Sequence, residues 1–395
     1  MHHLRSMLAL GVSIAFLFLA SATATATPGL TSNTIVLGQS AVFSGPSAKL
    51  GAAMREGAMS YFDDVNASGG IYGRKIKLVS LDDGYEPDRA KANTERLIRN
   101  DKVFALFGYV GTPTSYAVLP MITADRIPFF APFTGAQGLR EPFNRYVFNI
   151  RASYFDETEQ LVNWLTLNYK KRIAVFYQDD AYGKAGLDGV TRAMSRRGLQ
   201  IVSTGTVQRN TVEVADAVRT IHVGHPQAVI LISAYKSCAA FIKAYHARWP
   251  TDDPSYLNVS FVGSEALAHE LGADGDGVII SQVVPYYLDP YYAVATEFRE
   301  SLAQHFPDSQ PSFNNLEGYM AARTFVEGLR RAGPDLTRDS LIAALETLRN
   351  YDLGNFSVTF TPGNHNGSKL VLLTIIVGKE TFVPFAAEVR RASGP

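Results

Sequence analysis

Small hydroxyl-bearing and acidic residues gather where strand-like runs of this chain end. In the first half, Ser44-Gly45-Pro46 follows the run 34–43, and Gly111-Thr112-Pro113-Thr114-Ser115 follows 103–110, directly before a helical stretch. Phe133-Thr134-Gly135-Ala136 closes the run 127–133. A Ser or Thr at a helix start satisfies unpaired backbone N–H groups, and those same groups bind anions such as a carboxylate. The second half offers Asp179, Asp180, Tyr182 and Tyr235, then Glu265 in the run Gly263-Ser264-Glu265. Acids and aromatic faces suit a cation. A zwitterion with its carboxylate toward the first half and its ammonium toward the second satisfies both sets. Plainer accounts compete: the hydroxyls as helix caps, Glu265 as a cap of its own helix, and Asp180 as a brace for the loop around Gly183.

The elements that must position these residues alternate. Strand-like runs at 34–43, 74–83, 103–110, 127–133 and 146–152 are separated by helical periods at 52–67, from Pro87 onward, and at 113–125. Pro87 suits the first turn of a helix, where its missing N–H costs nothing. The rhythm restarts with a helix at 154–169 and strands at 172–180, 199–207, 227–235, 258–264 and 277–284. Helices are expected between them at 184–197, 211–222 and 236–248, and beyond them at 291–305, 315–331 and 337–349. The tail is strand-rich at 356–360, 370–377 and 381–385. Runs that are apolar on both faces belong in parallel sheets covered by helices. The pattern predicts an α/β fold of two Rossmann-like parallel-sheet lobes, with ligands beyond the carboxyl ends of the strands.

Composition narrows the function classes. Acids and bases number 37 each, so no basic surface holds nucleic acid, and charged residues are only 19% of the chain. One cysteine, Cys238, excludes an intrachain disulfide and a thiolate metal cluster. His2, His3 and Arg5, an apolar run over 7–20 and the small residues that follow read as a cleavable export signal over residues 1–26. The run is short for a membrane span, and no cysteine lies there to carry a lipid. A periplasmic address is expected.

Catalytic patterns are missing. The sequence has no G-x-S-x-G, no phosphate-binding G-x-x-x-x-G-K-[ST], no H-E-x-x-H, and no G-x-G-x-x-G after its first strand. His222, His225, His246 and His269 have no carboxylate arranged beside them in the sequence, so surface histidines are expected rather than a metal site. Neither an enzyme nor a cofactor is expected, and an exported hydrolase is the weakest of the alternatives.

The segments SGPSAKLG, EGAMSYFDDVNASGGIYGRKIKLVSLDD, DRAKANTERLI, VFALFGYVGTPTS, IPFFAPFTGA, YVFNIRASYFDE, IAVFYQDDAYGKAG, NVSFVGSEAL and EGYMAARTFVEGL follow one another from residue 44 to residue 329, within a pattern that extends over about 34–385. Their ordered set resembles the type 1 periplasmic solute-binding proteins of branched-chain amino acid ABC importers, the leucine/isoleucine/valine-binding kind. The resemblance implies two lobes closing on a solute: 30–152 with about 284–335, and 153–283 with about 336–390. It implies carboxylate contacts from Thr112 and from Phe133, Thr134 and Gly135. Tyr235 is implied as an aromatic wall, Glu265 as the partner of the ammonium, and Tyr154 and Tyr182 as pocket lining. Ser44, Leu50, Tyr109 and Asn314 are further candidates. The implied partners are a small solute and the permease and ATPase subunits of an importer, with the receptor itself monomeric.

Three departures from the leucine-binding pattern bear on the ligand. Leu50 stands where those relatives carry a tyrosine, Phe133 replaces a small residue, and Asn314 falls where an apolar contact is expected. Leucine itself is therefore not fixed as the ligand, and an amide, a urea-like compound, an aromatic acid or a bulkier apolar solute stands as the alternative to an amino acid. A sensor of the same fold that signals to a partner protein is the alternative to transport.

Overall fold

The structure is a computed structural model, and it describes residues 27–385. The expected export signal over 1–26 lies outside the described residues. The chain begins with β1 (Thr34–Ala41), α1 (Ala48–Ala67), β2 (Lys75–Asp82), α2 (Pro87–Arg99), β3 (Ala105–Phe107), α3 (Thr112–Ala124), β4 (Phe129–Phe130) and β5 (Val147–Phe148). These strands form one parallel sheet in the order β2-β1-β3-β4-β5.

Next come α4 (Tyr154–Leu167), β6 (Ile173–Gln178), α5 (Ala181–Ser195), β7 (Thr204–Val207), α6 (Ala215–Val223), β8 (Ala228–Ile232), α7 (Tyr235–Arg248), β9 (Ser255–Asn258), α8 (Ser264–Leu271) and β10 (Ile279–Gln282). The chain then runs through α9 (Ala293–His305), α10 (Phe313–Ala332), α11 (Arg338–Leu345), β11 (Tyr351–Asp352), β12 (Ser357–Val358), β13 (Leu372–Val377) and β14 (Thr381–Phe385). The second sheet has the order β14-β13-β10-β9-β8-β6-β7, parallel except for its antiparallel edge β13–β14.

Three crossings link the sheets. The chain passes from β5 to α4, returns between β10 and α9, and passes again before β13. The first and third crossings are bonded to each other: Asn149 N–H donates to His365 O (2.9 Å), and Gly367 N–H donates to Asn149 O (2.7 Å). Helix α10 belongs with the first sheet because it lies on α1 almost backbone to backbone. A Cβ on Gly57 would fall 1.8 Å from the Asn315 carbonyl oxygen, and one on Gly318 would fall 2.2 Å from that of Met54. Only glycine permits that approach.

Two expectations shift. The segment from 336 onward does not go with the second sheet as a block. Arg338, at the start of α11, donates to the carbonyls of Val103, Phe104 and Asp125, and Phe360 packs edge-on against Phe148. The return to the second sheet comes only with β13. The strand expected at 258–264 is instead β9 at Ser255–Asn258, because pairing with β8 sets the register (Ala228 opposite Ser255). Residues Ser260–Val262 form a tight helical turn beyond the strand end.

Candidate functional site

The strand ends of both sheets face each other across one interface. On the first-sheet side, Gly111 turns with φ 104 and Thr112 opens α3. Thr112 Oγ1 lies 2.6 Å from Thr134 Oγ1, and the Thr134 hydroxyl reaches the Tyr154 hydroxyl at 3.3 Å. Both threonines are fully buried. Thr134 also accepts from Ala136 N–H (3.2 Å), so it braces its own loop. A Cβ on Gly135 would collide with Tyr154, which is why the loop and the start of α4 can touch.

Aromatic rings close the interface. Phe261, in the turn after β9, lies 5.4 Å from Phe133, 4.6 Å from Tyr182 and 6.0 Å from Tyr85, and Tyr154 lies 5.4 Å from Tyr182. Tyr154 opens α4 behind a Ser153–Asp156 capping box. Tyr182 is seated by Asp180, the N-cap of α5, whose Oδ1 accepts from Tyr182 N–H at 2.9 Å and Gly183 N–H at 3.4 Å. Asp180 is thus the loop brace that its sequence position allowed, and burial pushes its carboxyl up.

Beneath the rings lies a buried charge cluster. Arg151, on the first crossing, sits 4.6 Å over the Phe133 ring. Its nearest carboxylates are Glu317 of α10 at 3.6 Å and Glu157 of α4 at 3.9 Å, and it donates to the Ser260 hydroxyl. Glu157 Oε2 accepts from Ser260 N–H (2.8 Å) and the Ser281 hydroxyl (2.7 Å). Burial raises Glu317 to about 7 against the pull of Arg151, and it raises Glu157 as well. Arg140 holds the crossing from below by donating to the carbonyls of Ala136 (2.8 Å) and Arg151 (3.0 Å).

A cavity of about 970 Å³ opens at the side of this interface. Leu50, Glu265 and Asn314 line it. Gly263 lines the cavity and borders Tyr235: a Cβ there would lie 2.6 Å from Leu50 and 3.6 Å from both Asn314 and Tyr235. Glu265, in the first turn of α8, bonds both its own backbone N–H and groups outside its helix. Its Oε1 accepts from Phe313 N–H at the start of α10 (3.1 Å), and burial, opposed by hydrogen bonds, raises its carboxyl to about 7.

The structure therefore brings together Thr112, Phe133, Thr134, Gly135, Tyr154 and Tyr182, and groups Tyr235, Leu50, Asn314 and Glu265 beside Gly263. It does not bring Ser44 or Tyr109. Ser44 is exposed and gives its hydroxyl to Asp82 (2.6 Å). Tyr109 is in a separate apolar cluster with Phe129, its hydroxyl 2.9 Å from that of Thr94, because alternation along the strand turns its side chain toward α2 and α3. Tyr85, Arg151, Glu157, Phe261 and Glu317 escaped the sequence reading. Tyr85, Arg151 and Phe261 all follow strands, so the strand-end rule applied to β2, β5 and the true end of β9 finds them. Nothing in the sequence pairs Glu157 or Glu317 with Arg151.

Comparisons with known proteins agree with this fold. A family model described as periplasmic binding protein matches residues 34–379. The structure of a possible leucine/isoleucine/valine-binding protein from Rhodopirellula baltica is 35% identical with TM-score 0.86, covering 92% of this chain and 99% of that one. A substrate-binding periplasmic protein from Ralstonia solanacearum is 32% identical with TM-score 0.84, covering 89% of this chain and all (100%) of that one. A Leu/Ile/Val-binding protein homolog from Brucella suis is 24% identical over 317 residues, 76% of this chain and 78% of its own length.

Proposed function

Since the chain belongs to the type 1 periplasmic binding protein family, of the leucine/isoleucine/valine-binding kind, we propose that it is the solute receptor of an ABC importer. It takes a small solute between two lobes built on the two sheets, closes over it, and presents the closed form to a membrane permease with its ATPase. The observation that carries this reading is the division of groups across the interface. Thr112, Thr134 and the N–H groups at the start of α3 suit a carboxylate, while the raised carboxyl of Glu265 and the ring of Tyr235 suit an amine. Binding requires no bond to break. Closure excludes water, which strengthens each charged contact to the solute.

The solute is an amino acid or an amphipathic molecule of related size. Leu50 gives the cavity an apolar wall and Asn314 adds an amide there, while Phe133 lies outside the cavity lining in the ring cluster. A cavity of about 970 Å³ lies at the upper end of the range for small-molecule sites and also admits solutes bulkier than leucine. The receptor works as a monomer in the periplasm, released by removal of residues 1–26. Among the described residues no helix is long and apolar enough to cross a membrane.

The test is a thermal-shift panel of amino acids, amides, aromatic acids and fatty acids, followed by calorimetry. A specific solute raises the melting midpoint with its concentration. A panel in which nothing binds, repeated with material stripped of co-purified ligand by unfolding and refolding, sinks the receptor reading.

A further inference from the structure

At the rim of the interface, the loop after β7 reaches across to the loop between β2 and α2. Arg209 Nη2 donates to Glu86 Oε2 at 2.8 Å, while Nη1 donates to Asp180 Oδ2 at 3.1 Å. The next residue, Asn210, donates from Nδ2 to Glu86 Oε1 (2.8 Å) and to the Gly84 carbonyl (3.0 Å). Both oxygens of one carboxylate from the first-sheet side are thus taken by two consecutive residues from the second-sheet side. The helix that Glu86 precedes takes nothing from its carboxylate, since Glu86 makes no side-chain cap to α2.

The backbones that make this contact are unusual on both sides. Gly84 (φ 57), Tyr85 (φ 65) and Asn210 (φ 61) are all left-handed. A bulky tyrosine in that region is held there only by its surroundings. Here Asp83 Oδ1 accepts from Tyr85 N–H (2.8 Å) and Asp82 Oδ1 from Gly84 N–H (2.9 Å), while Ser40 donates to Asp83 (2.7 Å). That backbone drives the Tyr85 ring inward, onto Gly111 next to Thr112 and toward Phe261 of the other side. The Arg209 guanidinium covers the ring at 5.9 Å.

We propose that Glu86, Arg209 and Asn210 form a latch that holds the two lobes together in the solute-free chain, and that its closing lays the Arg209 guanidinium over the Tyr85 ring beside the Thr112 wall. The proposal rests on the reading of the chain as a closing receptor. These are positioning residues: they act through the lobes and through Tyr85 rather than by touching the solute. The latch is partly exposed, with side-chain accessibilities of 22% for Arg209 and 43% for Glu86, so salt weakens it.

The test uses the solute-free full chain with fluorescent labels at Lys91→Cys on α2 and Lys184→Cys on α5, both exposed, leaving the buried Cys238 in place. Glu86→Gln, Arg209→Gln and the double variant are compared by single-molecule energy transfer between the labels. Each single variant raises the open-to-closed ratio at least about fivefold, the lower end of what coupled equilibria show. The double variant raises it no further than the larger single effect, and added salt moves the wild type toward the variants. Unchanged distributions, or single effects that simply add, overturn the latch. So does a wild type already open without solute. Melting midpoints of all variants stay close to the wild type, which separates opening from unfolding. Because no solute is present, the result stands apart from whether the panel above finds one.

Discussion

Two arginines each sit between two carboxylates where the halves of the molecule meet, and they do different work. Arg151 is 1% exposed, and Glu317 and Glu157 lie 3.6 and 3.9 Å from it, beyond good hydrogen-bond distance. Its Nε and Nη1 have no hydrogen-bond partner among the described residues. Arg209 at the rim has shorter contacts, 2.8 and 3.1 Å, but is partly wet. Depth decides what each contributes. At the rim, water screens both the attraction and the cost of separating the charges, so the pairs weigh on lobe position more than on folding. In the interior, an unpaired charge has no water to turn to, so the cluster binds the first crossing, α4, α10 and the turn after β9 into one unit.

Removing a member of the inner cluster has the largest expected effect. Arg151→Met strands two buried carboxylates and lowers stability by about 3–5 kcal/mol, read from urea unfolding. Arg209→Gln changes it by less than about 1 kcal/mol. Equal losses from the two would erase the distinction between depth and rim.

A second set of substitutions asks whether the hydroxyl wall between the two clusters serves binding rather than folding. Thr112→Val removes a hydroxyl meant for a carboxylate and weakens the solute identified in the panel by about 10–100-fold, as loss of a hydrogen bond to a charged group does. Calorimetry reads the affinity and melting reads the fold. A melting loss as large as that of Arg151→Met with affinity unchanged would assign Thr112 to the core.

Acidity gives a third comparison. Glu317, like Glu265, is raised from the ordinary 4.5 to about 7 by burial. Between those values the folded state retains protons that the unfolded state has released, so stability falls as pH rises from about 4.5 to about 7 and then levels. Glu317→Gln and Glu265→Gln each flatten that slope in melting curves. Binding moves the other way at Glu265: an amine-bearing solute binds better as pH rises through about 7, and Glu265→Gln abolishes that dependence. A solute whose affinity ignores both pH and Glu265→Gln carries no amine at this position.

The smallest effect belongs to a further candidate, Tyr109, that the fold turns away from the interface. Tyr109→Phe loses the contact with Thr94 and about 1 kcal/mol of stability, with solute affinity unchanged. A change in affinity there would mean that the apolar cluster under α2 and α3 is coupled to the site.

Local pattern was enough for the alternation of strands and helices, the two parallel sheets, and the loops that carry Thr112, Thr134, Tyr182 and Glu265. Apolar periodicity and helix-start residues are properties of adjacent positions, and these are what a chain shows before it folds. The ordered segments that resemble the solute-binding family were legible for the same reason. Tertiary contact decided the rest. The register of β9 came from β8, and with it the place of Phe261 at the interface. The Arg151 cluster draws on residues far apart in sequence, and the allegiance of α11 rests on Arg338 reaching carbonyls of the first sheet's connections. The side toward which Tyr85 turns depends on a left-handed backbone held by Asp82 and Asp83. Each of these depends on which surfaces meet in three dimensions, and periodicity along the chain carries no record of that.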